Sequence, residues 1–287
     1  MISTLVIGLS IAAILLLIAS GLSLVFGMLG VVNFAHGSLY MLGAFAAVEV
    51  IAWTGSFYAA LVVAPIVIGL FSALIEVALM RPTYKLPHEK QMLLTFGLVY
   101  VIEEAARTVW GLGYWRIDVP AALSGVVEIA GEVISVYRLS VLATGICLGV
   151  ALIVFIEKTR VGMVLRAAMS NEVMVRGMGV RISRYRTFVF ALGGALAAVG
   201  GVVAAPLLSV QVNMGALVIL DSFIVVILGG LGNVTGAIAG AVVLGMLQAF
   251  GQQYVATWVD VITYAILVVL LILRPQGLFN AKASRKA

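Results

Sequence analysis

Residues 157–186 read EKTRVGMVLRAAMSNEVMVRGMGVRISRYR, and the rest of the chain is laid out around them. The stretch is strongly charged and lies between two apolar segments. Lys158, Arg160, Arg166, Arg176, Arg181, Arg184 and Arg186 face only two acids, Glu157 and Glu172. Lys and Arg beside a membrane span hold that end on the cytoplasmic side. The stretch is therefore expected to be a cytoplasmic loop, with membrane helices on either side of it.

Composition agrees. Hydrophobic residues make up 63% of the 287 and charged residues 10%, against roughly 25% charged in soluble domains. Several windows supply the roughly 20 apolar residues that a membrane helix needs. An alternating ten-residue strand pattern is missing, which argues against a β-barrel. Met1-Ile2-Ser3-Thr4 places no basic residue before the apolar run, so a first span that stays is expected rather than a cleaved signal. Cys147 lies alone in an apolar run; an intrachain disulfide is excluded and simple packing is expected. The net charge of +5 is accounted for by basic inter-span segments. Nucleic-acid binding needs a solvated basic face with stacking or base-reading groups, and none is evident.

Spans are expected at 4–26, 34–53, 57–79, 92–112, 138–156, 187–205, 217–228, 234–250 and 258–273. The seventh is too short to cross alone and reads as a half-span joined to its successor through Gly229-Gly230-Leu231-Gly232-Asn233. The expected fold is all-α: a polytopic transmembrane helical bundle of eight or nine membrane segments including this Gly-interrupted half-span, with 1–287 as a single domain. Placing residues 81–91, residues 157–186 and the tail from Arg274 in the cytoplasm puts 14 of the 17 Lys and Arg there. Nine crossings then leave the N-terminus outside and the C-terminus inside; with eight, one of the first three segments only dips and the N-terminus moves inside. Residues 113–137, with Arg116, Asp118, Pro120, Glu128 and Glu132, form the main extracytoplasmic loop.

Gly27-Met28-Leu29-Gly30-Val31-Val32-Asn33-Phe34-Ala35-His36-Gly37 joins the first two spans with no ionisable side chain other than His36. Glycine permits non-helical backbone, which persists at membrane depth only where protein or a water-filled cavity satisfies it. Gly229 to Asn233, followed by Gly236 and Gly240, is a second such interruption. Paired Gly-interrupted segments point to a transport pathway, although these two are not symmetric about the middle of the chain. Asn33 and His36 either complete hydrogen bonds at a tight turn or touch a permeating solute. His88 lies in a basic loop and no Cys or carboxylate cluster accompanies either histidine, so neither a metal nor a catalytic base is expected.

Glu49, Glu76, Asp221 and Asp260 fall near expected span ends, where carboxylates reach water or headgroups, and read as structural. Glu103 and Arg107 are four apart and can pair on one helical face. The small residues of Gly193-Gly194-Ala195-Leu196-Ala197-Ala198-Val199-Gly200-Gly201 allow close helix contact, within the subunit or across a dimer.

The sequence contains no G-x-x-x-x-G-K-[ST], no H-E-x-x-H and no G-x-S-x-G. Ser38 beside His36 does not make a hydrolase, because residues two apart on a helix point apart. No catalytic residue and no cofactor is expected. Uphill movement of a solute would then draw on an ion gradient or a partner ATPase.

Five stretches carry a family resemblance. They are Gly21-Leu22 with Val25-Phe26-Gly27, leading into Asn33-Phe34-Ala35-His36-Gly37 and Tyr40-Met41-Leu42-Gly43; Leu94-Thr95-Phe96-Gly97-Leu98; Gly162 with Arg166-Ala167, Met178-Gly179-Val180 and Phe190-Ala191-Leu192-Gly193; Val226-Ile227-Leu228-Gly229-Gly230-Leu231-Gly232-Asn233 with Gly236-Ala237; and Arg274-Pro275-Gln276-Gly277-Leu278-Phe279. In this order they resemble the permease subunits of bacterial ABC importers for branched-chain amino acids, the LivH type of the permease pair. The resemblance implies a multi-pass protein of the bacterial inner membrane with no ATPase site of its own. Its implied partners are ABC ATPase subunits, a second related permease subunit, a periplasmic or extracellular solute-binding protein and membrane lipid.

It further implies that residues 162–179 couple to the ATPase, and the residues expected to do so are Gly162, Arg166, Ala167, Asn171, Arg176 and Gly179. Val161, Val164, Leu165 and Ala168 share one face of a short helix, which suits a groove in a partner. The family usually has small residues where this chain has Val173-Met174-Val175. Asn33, His36, Gly37, Thr95, Gly229, Gly230, Gly232 and Asn233 are the candidate translocation-path residues. A permease for urea or short amides is the nearest alternative. A gradient-driven transporter or channel is the alternative of another class, and it calls for ionisable residues deep in the spans, of which there are few.

Overall fold

Lipid offers backbone N–H and C=O groups no partner, so long apolar runs satisfy them internally as helices. The computed structural model describes residues 1–273; the tail from Arg274, with the last of the five family stretches, lies outside them. In chain order the helices are α1 (Ile2–Leu29), α2 (His36–Thr54), α3 (Phe57–Ile75), α4 (His88–Trp110), α5 (Val136–Lys158), α6 (Arg160–Ser170), α7 (Glu172–Gly177), α8 (Ile182–Ala204), α9 (Met214–Gly229), α10 (Val234–Val255) and α11 (Val259–Leu273). α3 runs on through a π-helical turn, Glu76–Met80, and a 3-10 turn, Arg81–Thr83. The fold is all-α, and a two-stranded hairpin, β1 (Val126–Ile129) against β2 (Glu132–Ser135), is the one sheet among the described residues.

Among the described residues, six helical stretches are long and apolar enough to cross a membrane: Ile2–Leu29, His36–Thr54, Phe57–Thr83, Val136–Lys158, Ile182–Ala204 and Val234–Ile266. α4 is as long but carries Glu89, Lys90, Glu103, Glu104 and Arg107, and α9 has 16 residues; both fall outside that set. Helices start earlier than their apolar runs where polar residues prolong them. α8, for example, begins at Ile182 inside the basic stretch.

α8 is the most buried of the six, with 72% of its apolar window inside the molecule. Its small residues are the reason. A Cβ on Gly201 would strike the Tyr40 carbonyl, and one on Gly43 of α2 would strike Ala198. With side chains absent at the crossing, dispersion between backbones replaces the hydrophobic drive that lipid does not supply. The small-residue run thus packs within the subunit, as one of its two sequence readings held.

α1 to α3 and α8 to α10 pair in corresponding ways. α1 lies antiparallel to α10, with Gly8 against Ala249 and Gly245 against Ala12. α8 lies antiparallel to α3 in the same way, with Gly69 against Ala191 and Ala195, and Gly194 against Ser72. α1 and α8 cross at Gly21 and Gly193, while α2 and α9 both begin where Gly37 meets Gly215. The joins that correspond are therefore 30–35, before α2, and 205–213, before α9. Gly229 to Asn233 is instead a turn at the far end of α1, where Gly232 approaches Gly27.

One end of the bundle carries the hairpin. There Ser3 N–H donates to Glu132 Oε2 at 2.7 Å, Trp115 pairs with Val210, and Thr4 bonds Gln253. The bond from the Met1 ammonium, followed by that from Ser3, holds the Glu132 carboxyl below its usual range. The opposite end carries α6 and α7. Two sequence expectations change here. Arg107 pairs with Glu104 at 3.1 Å rather than with Glu103, because the i,i+3 partner lies on the same exposed face. Cys147 faces outward from α5 rather than packing inside.

Candidate functional site

The α6–α7 segment is shaped by the residues its sequence singled out. Thr159 caps α6, its Oγ1 accepting from Gly162 N–H at 3.0 Å. A Cβ on Gly162 would collide with the carbonyls of Phe155 and Ile156, so glycine alone lets α6 fold back on the end of α5. Arg166 bonds the Ile156 carbonyl. Asn171 Oδ1 caps α7 by accepting from Met174 N–H at 3.0 Å, and Gly179 supplies the left-handed turn, at φ 81°, that leads to α8. Arg176 pairs with Glu172. Ala167 is exposed.

The apolar face of α6 turns the opposite way from the expectation. Leu165 and Ala168 are buried and Val161 and Val164 pack against the same core, so this face is covered by the chain's own bundle. What remains outside is Met163, Val173, Met174 and Met178, each more than 60% exposed on a segment otherwise rich in Arg. The exposed Val173 and Met174 belong to the bulky departure noted in the sequence, while Val175 of the same run is buried. Sequence reasoning missed these as the outward surface. The signal available was bulky apolar side chains inside the chain's most basic stretch.

The expected path residues fall into two places. Around the start of α2, Asn33 Oδ1 accepts from Ala35 N–H at 3.1 Å, His36 Nε2 lies 3.0 Å from the Ile18 carbonyl, and Thr95 Oγ1 accepts from Phe34 N–H at 3.3 Å. These side chains complete backbone hydrogen bonds at a break in the helix, one of the two roles read for them. His36 Nδ1 and Asn33 Nδ2 are buried without hydrogen-bond partners. Phe34 bridges two helices edge to face, its centroid 6.0 Å from Phe96 of α4 and 5.3 Å from Phe223 of α9. At the other place, Gly229 backs onto Gly236, Gly230 and Gly232 take positive φ of 91° and 77°, and Asn233 Oδ1 caps α10 by accepting from Gly236 N–H at 3.0 Å. Among the described residues no group of His, Cys, Asp and Glu is placed to hold a metal.

Two of the carboxylates expected at span ends have specific partners, and Asp221 differs from that expectation by standing in the middle of α9. Glu49 Oε1 accepts from Trp110 Nε1 at 2.8 Å, and Asp221 Oδ2 from Gln248 Nε2 at 3.0 Å. Glu76 corrects the expectation that it reaches water, for it is fully buried and paired with Arg81 at 2.8 Å.

A family model described as "Branched-chain amino acid transport system / permease component" matches residues 4–271. The chain belongs to that permease family. Its relatives include the high-affinity branched-chain amino acid transport system permease protein BraD of Pseudomonas aeruginosa, 28% identical over 95% of this chain and 94% of its own. LivH of Escherichia coli, a permease protein of the same description, is 26% identical over 95% of this chain and 93% of its own. A probable LivH of Methanocaldococcus jannaschii is 25% identical over 92% and 88%. No solved structure matches significantly. The permease is a transport subunit of an ABC importer and not an enzyme. An ATPase and a solute-binding protein accompany a permease of this kind.

Proposed function

We propose that this permease forms half of the translocation path of a bacterial importer for branched-chain amino acids, as one transmembrane domain spanning 1–287. It sits in the cytoplasmic membrane with α6 and α7 inside the cell and works beside a second, related permease and its surrounding lipid. The observation that carries the reading is the α6–α7 segment: a capped, glycine-shaped pair of helices that exposes Met163, Val173, Met174 and Met178 in a chain with no phosphate-binding loop. Gly162, Arg166, Asn171, Arg176 and Gly179 give the segment its form, and the exposed side chains with Ala167 make the contact with the ATPase. Asn33, His36, Gly37 and Thr95 frame the path where α2 and α9 begin. Gly229, Gly230, Gly232 and Asn233 frame it nearer the cytoplasm.

The helix directions support nine membrane segments, with α4 and the short α9 completed by their neighbours and the C-terminus inside. In intact cells a membrane-impermeant maleimide is expected to label a cysteine at Ser124 and to reach one at Val173 only after permeabilisation. The reverse pattern inverts the topology.

Deleting the gene is expected to abolish most high-affinity uptake of leucine, isoleucine and valine. Loss of urea or acetamide uptake with leucine uptake intact assigns the other solute class. Val173→Asp with Met174→Asp is expected to lower co-purified ATPase by about tenfold or more without changing permease yield. The two side chains are exposed, and removing a central apolar contact from an interface costs about 2 kcal/mol. Full retention of ATPase by this variant sinks the docking surface.

A further inference from the structure

The π-helical turn that ends α3 begins at Glu76, whose carboxylate is wholly buried. Three side chains converge on it. Arg81 Nη2 donates to Oε2 at 2.8 Å, Tyr84 OH to Oε1 at 2.8 Å, and Thr187 Oγ1 of α8 to Oε2 at 2.7 Å. The chain of contacts continues outward. The Arg186 guanidinium lies over the Tyr84 ring, 4.4 Å from its centroid, and Arg186 Nη2 donates to Glu172 Oε2 of α7 at 2.6 Å. Arg186 is only 14% exposed although it belongs to the most basic stretch of the chain. Burial, then the bond to Glu76, raises the Tyr84 hydroxyl above its usual range, so it remains a donor at cellular pH.

We propose that Glu172, Arg186, Tyr84 and Glu76 form a polar strut that passes displacement of α7 to α3 and α8, making Arg186 and Tyr84 positioning residues for transport. The proposal rests on the coupling reading above. Charge-assisted bonds and a stacked guanidinium fix direction as well as distance, which apolar contacts between sliding helices do not. Glu76 is buried and the other three are half-buried, so their bonds are stronger than they would be in water. The strut ends on two helices that are tied together. α3 and α8 are pinned to each other by Ser72 Oγ donating to the Phe190 carbonyl at 2.8 Å. The wide turn at Glu76 also interrupts the regular ladder of α3, and such turns recur at functional sites.

The test uses the whole importer, with both permeases, the ATPase subunits and the binding protein, in proteoliposomes. Leucine transported per ATP hydrolysed is measured together with co-purified ATPase. Tyr84→Leu and Arg186→Gln are expected to keep the wild-type amount of ATPase and its hydrolysis rate while leucine per ATP falls about three- to tenfold, within the roughly two- to thirtyfold range of coupling effects. Tyr84→Phe keeps the ring under Arg186 and loses only the bond to Glu76, so a smaller fall is expected. Unchanged leucine per ATP in Tyr84→Leu and Arg186→Gln overturns the strut. So does a loss of transport that merely follows lost ATPase, because it assigns these residues to docking or folding. If the wild-type permease retains no ATPase, the coupling reading itself fails, and the strut with it.

Discussion

Valine at Gly43 or Gly201 is expected to remove most of the folded permease from the membrane. A Cβ at Gly201 meets the Tyr40 carbonyl and the Ala44 amide, and one at Gly43 meets the Cα, carbonyl and Cβ of Ala198. All but the Ala198 Cβ are backbone atoms of α2 and α8, and none of them can rotate aside as a flexible side chain does. Overpacking a core that can relax costs about 1–3 kcal/mol, and a backbone collision belongs above that range. The whole stability of a folded domain is only about 5–15 kcal/mol. Gly97→Val is the matched control: the Cβ meets nothing within 4 Å, and the residue sits on the exposed face of α4. Size-exclusion chromatography of detergent-solubilised protein should show the monodisperse peak lost for the first two variants and kept for the third. Equal peaks for all three would contradict the crossing.

Arg81→Met is expected to destabilise the permease more than Glu76→Gln, although each removes one side of the same ion pair. Glu76 is fully buried, whereas the Arg81 side chain is 39% exposed. Without Arg81 a carboxylate stays buried with only two hydroxyl donors, and an uncompensated buried charge costs about 3–5 kcal/mol. With glutamine at 76, Arg81 turns to water, Tyr84 and Thr187 keep an amide oxygen to bond, and the loss is about 1–2 kcal/mol. Thermal unfolding in detergent should place the midpoint of Arg81→Met below that of Glu76→Gln. Removing both partners with Glu76→Leu and Arg81→Met is expected to cost less than Arg81→Met alone. The opposite order means that Glu76 is not held as a charge.

Much of this was legible in the chain. The apolar runs located the helices, and the motifs from Gly21 to Asn233 identified the family because each holds a local shape: Asn33 and Asn233 cap or close turns, and Gly162 and Gly179 permit turns that other residues resist. The partner of each helix face was not legible. Val161, Val164, Leu165 and Ala168 read as a docking face and are covered from within, leaving Val173 and Met174 outside. Glu103 read as the partner of Arg107, and Glu104 takes that place. Gly27 to Gly37 seemed to correspond to Gly229 to Asn233, yet Gly37 at the start of α2 meets Gly215 at the start of α9, while Gly232 meets Gly27.

Sequence by itself determined the membrane class, the helical state of the apolar runs and the family, because hydropathy, helix period and turn-forming residues act within a few residues of one another. Only the tertiary structure decided which apolar face lies inside, that Gly37 meets Gly215, and that Glu76 is reached from both α3 and α8. In lipid an apolar side chain is equally at home against a neighbouring helix or against the bilayer, so hydrophobicity does not separate core from surface. Close backbone approach and buried polar pairing make that choice, and both depend on residues far apart in the chain.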